Sequence, residues 1–189
     1  MLLNKRASEC KHSKSFCVAL GGVITALVLL IMFCSTLFPM LDYALPTYAG
    51  FLMVIVMAEA GTGWAFMTYA ACAVLCMLMT PDYQANLLFI LFMGYYPILY
   101  VHLFKIKKKP LRVFVKLIVF NTAIIVFGLI YTYLFAGTDL FEGMEKFGMY
   151  AVPLMIFMAN VFFGIYEVLL GRLIELYTRW FRIKILSRK

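Results

Sequence analysis

The sequence predicts an all-α integral membrane protein with six transmembrane helices and both termini in the cytoplasm. Three observations predict it. Of the 189 residues, 65% are hydrophobic and only 14% are charged, against about one in four charged in a soluble domain. Apolar runs long enough to cross a bilayer recur along the chain. The basic residues gather in three places, and an even number of spans puts all three on one side.

The elements follow in order. Residues 1–16 form a basic N-terminal segment carrying Lys5, Arg6, Lys11 and Lys14. The apolar run that follows, Phe16 to Leu41, is longer than the roughly 7–15 residues of a signal-peptide core and precedes no A-x-A cleavage pattern, so it reads as a retained first helix. Helices are expected at about 17–41, 44–60, 63–80, 86–104, 112–135 and 149–176. The second opens with "ALPTY", where Pro46 is tolerated near a helix start because its missing N–H is not needed there. The breaks are "LDYALP", "EAGTG", "TPDYQAN", "KIKKKPLR" and "AGTDLFEGMEKFG", each containing residues that end a helix or favour water. Within the fourth helix, Pro97 frees a carbonyl near Met93 and Gly94 adds a weak point, so a kink is expected there. Residues 17–176 make up the membrane domain, and 177–189 form a basic amphipathic tail lying along the cytoplasmic interface.

Of the 17 Lys and Arg residues, six lie at the fourth-to-fifth connection (Lys105, Lys107, Lys108, Lys109, Arg112 and Lys116) and six at the end of the last helix and tail. Asp42, Asp82, Asp139, Glu142 and Glu145 fall on the other side. The net charge of +8 is thereby explained by orientation and attraction to anionic lipid, without nucleic acid.

"VMAEAGTGWAF" (Val56 to Phe66) reads as a tight cytoplasmic turn. Glu59 is expected to reach water there. Gly61 and Gly63 are expected to supply positive φ values, and Gly61 with Ala65 makes a small-x-x-x-small pair suited to close helix approach.

Sequence motifs for catalysis are missing. The chain has no phosphate-binding G-x-x-x-x-G-K-[ST], no H-E-x-x-H and no G-x-S-x-G. His12 and His102 are isolated, and the five cysteines form no C-x-x-C pair, so no metal site, disulfide framework or cofactor is indicated. A binding role remains. Asp42, Tyr43 and Tyr48, then Tyr83, Gln84 and Asn86, then Tyr131, Tyr133 and Asp139 lie at the outer connections. Rings with a few polar groups suit a small-molecule pocket, and equally suit an interfacial aromatic belt. Asn121, Asn160 and Glu167 lie deeper and must face protein or a water-filled cavity. They read either as interhelical hydrogen bonding or as a ligand or proton-linked site.

"ALPTYAGFLMVIVMAEAGTGWAFMTYAACAVL", together with "ALGGVITAL" where Gly22 and Ala26 are four apart, resembles the substrate-binding S components of energy-coupling-factor transporters. The resemblance spans Cys17 to about Lys116. It implies capture of a vitamin-like or other small organic ligand at the outer face by Asp42, Tyr43, Tyr48, Tyr83, Asn86, Tyr131 and Asn160. It also implies docking through Gly22, Ala26, Gly61 and Ala65 to a coupling membrane subunit, with ATP hydrolysed by separate subunits. The architecture also resembles small six-helix proteins of the cell-shape type (MreD-like), which implies a scaffold acting through helix–helix contact. A self-contained proton-coupled carrier using Glu167 is a third reading, and no internal repeat supports it.

Overall fold

The computed structural model describes residues 13–103, 106, 108–134 and 151–177. Asp139, Glu142, Glu145 and the tail beyond Tyr177 lie outside the described residues. All regular structure among those described is helical: α1 (Lys14–Leu37), a 3-10 turn (Pro39–Leu41), α2 (Ala44–Glu59), α3 (Thr62–Met79), α4 (Tyr83–Leu88), a π-helical segment (Phe89–Met93), α5 (Tyr96–Leu103), α6 (Lys109–Leu134) and α7 (Ala151–Leu176). Five helical stretches are long and apolar enough to cross a membrane, with α4 through α5 counted as one. This is a multi-pass membrane protein. The remaining apolar helix, α2, has 16 residues, which span about 24 Å at 1.5 Å per residue, short of a hydrocarbon core of about 30 Å.

The chain divides into two compact units, Met1–Arg112 and Val113–Lys189. In the first, α2 is the central element, packed against α1, α3, α5 and the π segment. Nine of its residues are buried, from Pro46 to Glu59. The inward stripe of α1 is Cys17, Gly21, Ile24, Val28, Met32 and Ser35, spaced by three and four as one face of a helix requires. That of α3 is Ala65, Thr68, Cys72 and Cys76. A Cβ built on Gly21 would stand 3.0 Å from Thr68 Oγ1, and one helical turn on, Cys72 Sγ lies 3.5 Å from Thr25 Oγ1. Both partner numbers rise together, so α1 and α3 run parallel.

Several boundaries differ from expectation for identifiable reasons. Helix α1 starts earlier because Ser13 caps it, its hydroxyl accepting from Phe16 N at 3.3 Å. It stops at Leu37 because Phe38 precedes a proline and is pushed to φ −129°. Glu59 is 6% exposed, not open to water, since it ends a helix enclosed by its neighbours. Gly63 lies within the first turn of α3, and among the described residues Gly61 alone has positive φ, at 88° with ψ 177°. That region is almost restricted to glycine, so Gly61→Ala is expected to cost about 1–3 kcal/mol, measured as a fall in the thermal midpoint of the purified protein. Cys17 is disulfide-bonded, a bond the cysteine spacing does not indicate, while Cys34, Cys72 and Cys76 are free thiols.

The expected kink in the fourth span takes a specific form. Gly94 N donates to Phe89 O at 2.8 Å, five residues back, and the helix resumes only at Tyr96. In the second unit, α6 and α7 pair side chain to side chain along an antiparallel seam.

Candidate functional site

The sequence points to two sets of polar residues, and the structure gathers those of the first two outer connections into a cluster in unit 1 and the deeper ones into a cluster in unit 2. The first cluster sits at the end of unit 1 where α1 leads into α2 and α3 leads into α4. Asp42 closes the 3-10 turn and Asp82 caps α4, accepting from Ala85 N at 3.0 Å. The two connections meet directly: Gln84 Nε2 donates to the Tyr43 hydroxyl at 2.9 Å. Tyr43, Tyr48 and Tyr83 all leave their rings exposed, and Tyr48 stands edge-on to Phe51 with centroids 6.1 Å apart.

Asp42 is the least settled group in this cluster. Its Oδ1 is buried and has no hydrogen-bond partner among the described residues. Burial first, and the Asp82 charge second, push its carboxyl above the ordinary value of 3.8. The folded protein therefore holds this proton more tightly than the unfolded chain does. Asp42 thus favours the fold in acid, and that contribution is lost as pH rises from 3.8 through the raised value. Asp42→Asn is expected to remove the loss, so that the variant gains on the wild type as pH rises above 3.8, as read from thermal unfolding at a series of pH values.

Asn86 belongs to the same segment but faces inward, 2% exposed. Its Nδ2 donates to Cys76 O at 3.2 Å and Thr80 O at 3.0 Å, and its Oδ1 accepts from the Thr80 hydroxyl at 2.7 Å. Both amide hydrogens are committed to the end of α3, one to Cys76 O, which also accepts from Thr80 N at 3.0 Å, and one to Thr80 O just beyond the helix. The asparagine ties α4 to α3.

The second cluster lies in unit 2. Asn121 Nδ2 donates to Asn160 Oδ1 and Asn160 Nδ2 donates to Asn121 Oδ1, each at 3.1 Å. The second hydrogen of each amide returns to its own helix, to Leu117 O and Ile156 O, both at 2.8 Å. Next along the seam, Phe120 and Phe163 stack with centroids 4.4 Å apart and planes 15° apart. Then Lys116 donates to Glu167 in an ion pair. Partner numbers fall on α7 as they rise on α6, as antiparallel helices demand. Tyr131 lies beyond this seam, stacked on Phe127 of its own helix at 5.9 Å.

Five of the seven expected ligand residues thus share one end of unit 1, and Tyr131 and Asn160 belong to unit 2. Of the expected docking residues, Gly22 and Ala26 lie on the exposed face of α1, and nothing lies within 4 Å of a Cβ built on Gly22. Gly61 and Ala65 are buried inside unit 1, where they make the turn and its first helical bond, Ala65 N to Gly61 O at 3.0 Å. The residue that sequence reasoning misplaces is Lys116, grouped with the basic connection although it is the partner of Glu167. The expected helix bounds hide the pairing, because they start the fifth helix at 112, four residues before Lys116. Helix α6 instead starts at Lys109 and puts Lys116 seven residues in, near the depth of Glu167, nine residues from the end of α7. Comparison of the chain with protein-family models, curated proteins and solved structures finds no match in any of the three.

Proposed function

We propose that this chain is the membrane-embedded substrate-binding subunit of an energy-coupling-factor-type importer. In this reading it crosses the cell membrane six times with both termini cytoplasmic, and it binds a small organic molecule at the outer face. Separate subunits couple transport to ATP hydrolysis. The observation that carries the reading is the meeting of residues 42–48 with residues 82–86 through the Gln84–Tyr43 hydrogen bond. Two carboxylates and three exposed phenol rings are thereby gathered at the end of the unit opposite the start of α1 and the end of α5. Aromatic faces with a few polar groups are what small-molecule capture requires. The exposed Gly22–Ala26 face of α1 supports docking to a coupling subunit, since small residues let helix backbones approach.

That same face favours the second reading, a scaffold that binds other membrane proteins and no small molecule. Native mass spectrometry of the protein gently extracted from its host separates the two. A bound small organic molecule, lost on Tyr43→Ala, supports the importer subunit. Gly22→Leu is then expected to release the coupling subunit while the small molecule stays. A protein that is empty and travels only with cell-envelope proteins sinks the importer reading and leaves the scaffold.

A further inference from the structure

The geometry points to Phe89–Tyr95 as a latched hinge within the fourth span, about which α4 and α5 change their relative angle. Helical hydrogen bonding is weakened here at two carbonyls three residues apart, Ile90 O and Met93 O. Gly94 N bonds Phe89 O rather than Ile90 O, which leaves Ile90 O without its regular helical donor. Pro97, four residues after Met93, has no N–H to give Met93 O. One neighbouring helix supplies a donor to the first of these carbonyls, and another packs its backbone against the second. The Tyr69 hydroxyl on α3 donates to Ile90 O at 2.6 Å. Gly50 on α2 faces Met93 O so closely that a Cβ there would stand 2.3 Å from it, and Thr47 Oγ1 lies 3.7 Å from Met93 Sδ.

Tyr69 is built as the latch. Its ring contacts Phe89 before the break and Tyr95 after it, with centroids 6.2 and 6.1 Å away. A side chain at Gly94 would collide with that ring, at 2.6 Å. One phenol therefore grips both arms of the break and replaces its missing hydrogen bond. The arms differ in what they hold. Helix α4 carries Gln84, bonded to Tyr43, and Asn86, bonded to the end of α3. Helix α5 packs on α2 and α3 and leads towards the basic connection. π-Helical turns within α-helices recur where proteins move or bind, and this one sits between the exposed polar end of unit 1 and its opposite end. The hinge belongs to unit 1 alone and needs no ligand to be seen, so its test is independent of the importer reading.

Hydrogen exchange of the full-length protein in lipid nanodiscs, read by mass spectrometry, tests it with two variants of opposite expected sign. In the wild type, amides of residues 90–96 are expected to exchange about tenfold faster than those of residues 53–57 in α2. Tyr69→Phe removes the latch hydrogen bond but keeps the ring, and is expected to speed exchange in residues 90–96 several-fold while residues 53–57 stay unchanged. Pro97→Ala restores an N–H for Met93 O and is expected to slow the same amides several-fold. A merely structural proline would give no change or faster exchange, because removing a buried ring loosens packing. Either of those results for Pro97→Ala overturns the hinge, whether or not Tyr69→Phe folds. Wild-type exchange in residues 90–96 as slow as in residues 53–57 overturns it as well.

Discussion

Glu167→Gln is expected to lower the stability of the protein by about 3–5 kcal/mol, the cost of leaving a buried charge without its partner. The stranded group would be Lys116, whose side chain is 3% exposed. It stands seven residues into α6, about 10 Å along the helix axis, farther than its side chain can reach to find water at the helix start. Lys116→Met strands Glu167 instead, and Glu167 is 28% exposed, so the expected loss is smaller. The pair is expected to be strongly non-additive. Lys116→Met with Glu167→Leu removes both charges, and well-packed apolar replacements of a buried ion pair are often neutral or stabilising. Unfolding of the wild type, Lys116→Met, Glu167→Leu and the variant carrying both in a double-mutant cycle measures the coupling directly. A Glu167→Gln loss below about 1 kcal/mol, the range of an exposed pair, would mean that the bridge is wet rather than buried.

This pair also marks where the sequence stops being legible. Helical stretches are readable because each needs only local signals, an apolar run and a breaker at each end. Asn160 is readable as a residue that must face protein, since an amide cannot be left bare in hydrocarbon. Its partner Asn121 is on the same short roll of deep polar residues, but nothing local says the two amides lie at equal depth. Pairing is a property of the register between two helices, set by Phe120 on Phe163 as much as by the polar groups. Lys116 is harder still, because it follows a run of lysines and looks like one more of them.

The end of unit 1 shows the same division. Asp42, Tyr43, Tyr48, Tyr83 and Asn86 are each visible as polar or aromatic residues at helix ends. That Asn86 turns inward goes with its bonds to Cys76 O and Thr80 O at the end of α3, a tertiary contact that no sequence pattern displays. Pro97 and Gly94 announce a kink. The π turn itself depends on Tyr69 and Gly50 arriving from other helices, at separations of 21 and 43 residues from the backbone atoms they meet.

Gly50→Ala is the second large expected effect, and it probes that arrival. A methyl group there would stand 2.3 Å from Met93 O and 3.0 Å from Met93 C. Both are backbone atoms, so no side-chain rotation relieves the clash. Helix α2 must retreat or the π segment must shift, and overpacking of this kind costs about 1–3 kcal/mol. The upper part of that range is expected, because α2 packs on α1, α3 and α5 as well and cannot withdraw from one neighbour without disturbing the others. At about 2–4 °C per kcal/mol for a chain of this size, the thermal midpoint should fall by roughly 4–12 °C. Gly22→Ala is the control, since its Cβ would meet nothing within 4 Å. Alanine is there the better helix former by up to about 1 kcal/mol, so that variant is expected to equal or exceed the wild type. If both variants behaved alike, α2 and the π segment would not be in backbone contact at Gly50, and one of the two groups holding the break in the fourth span would be lost.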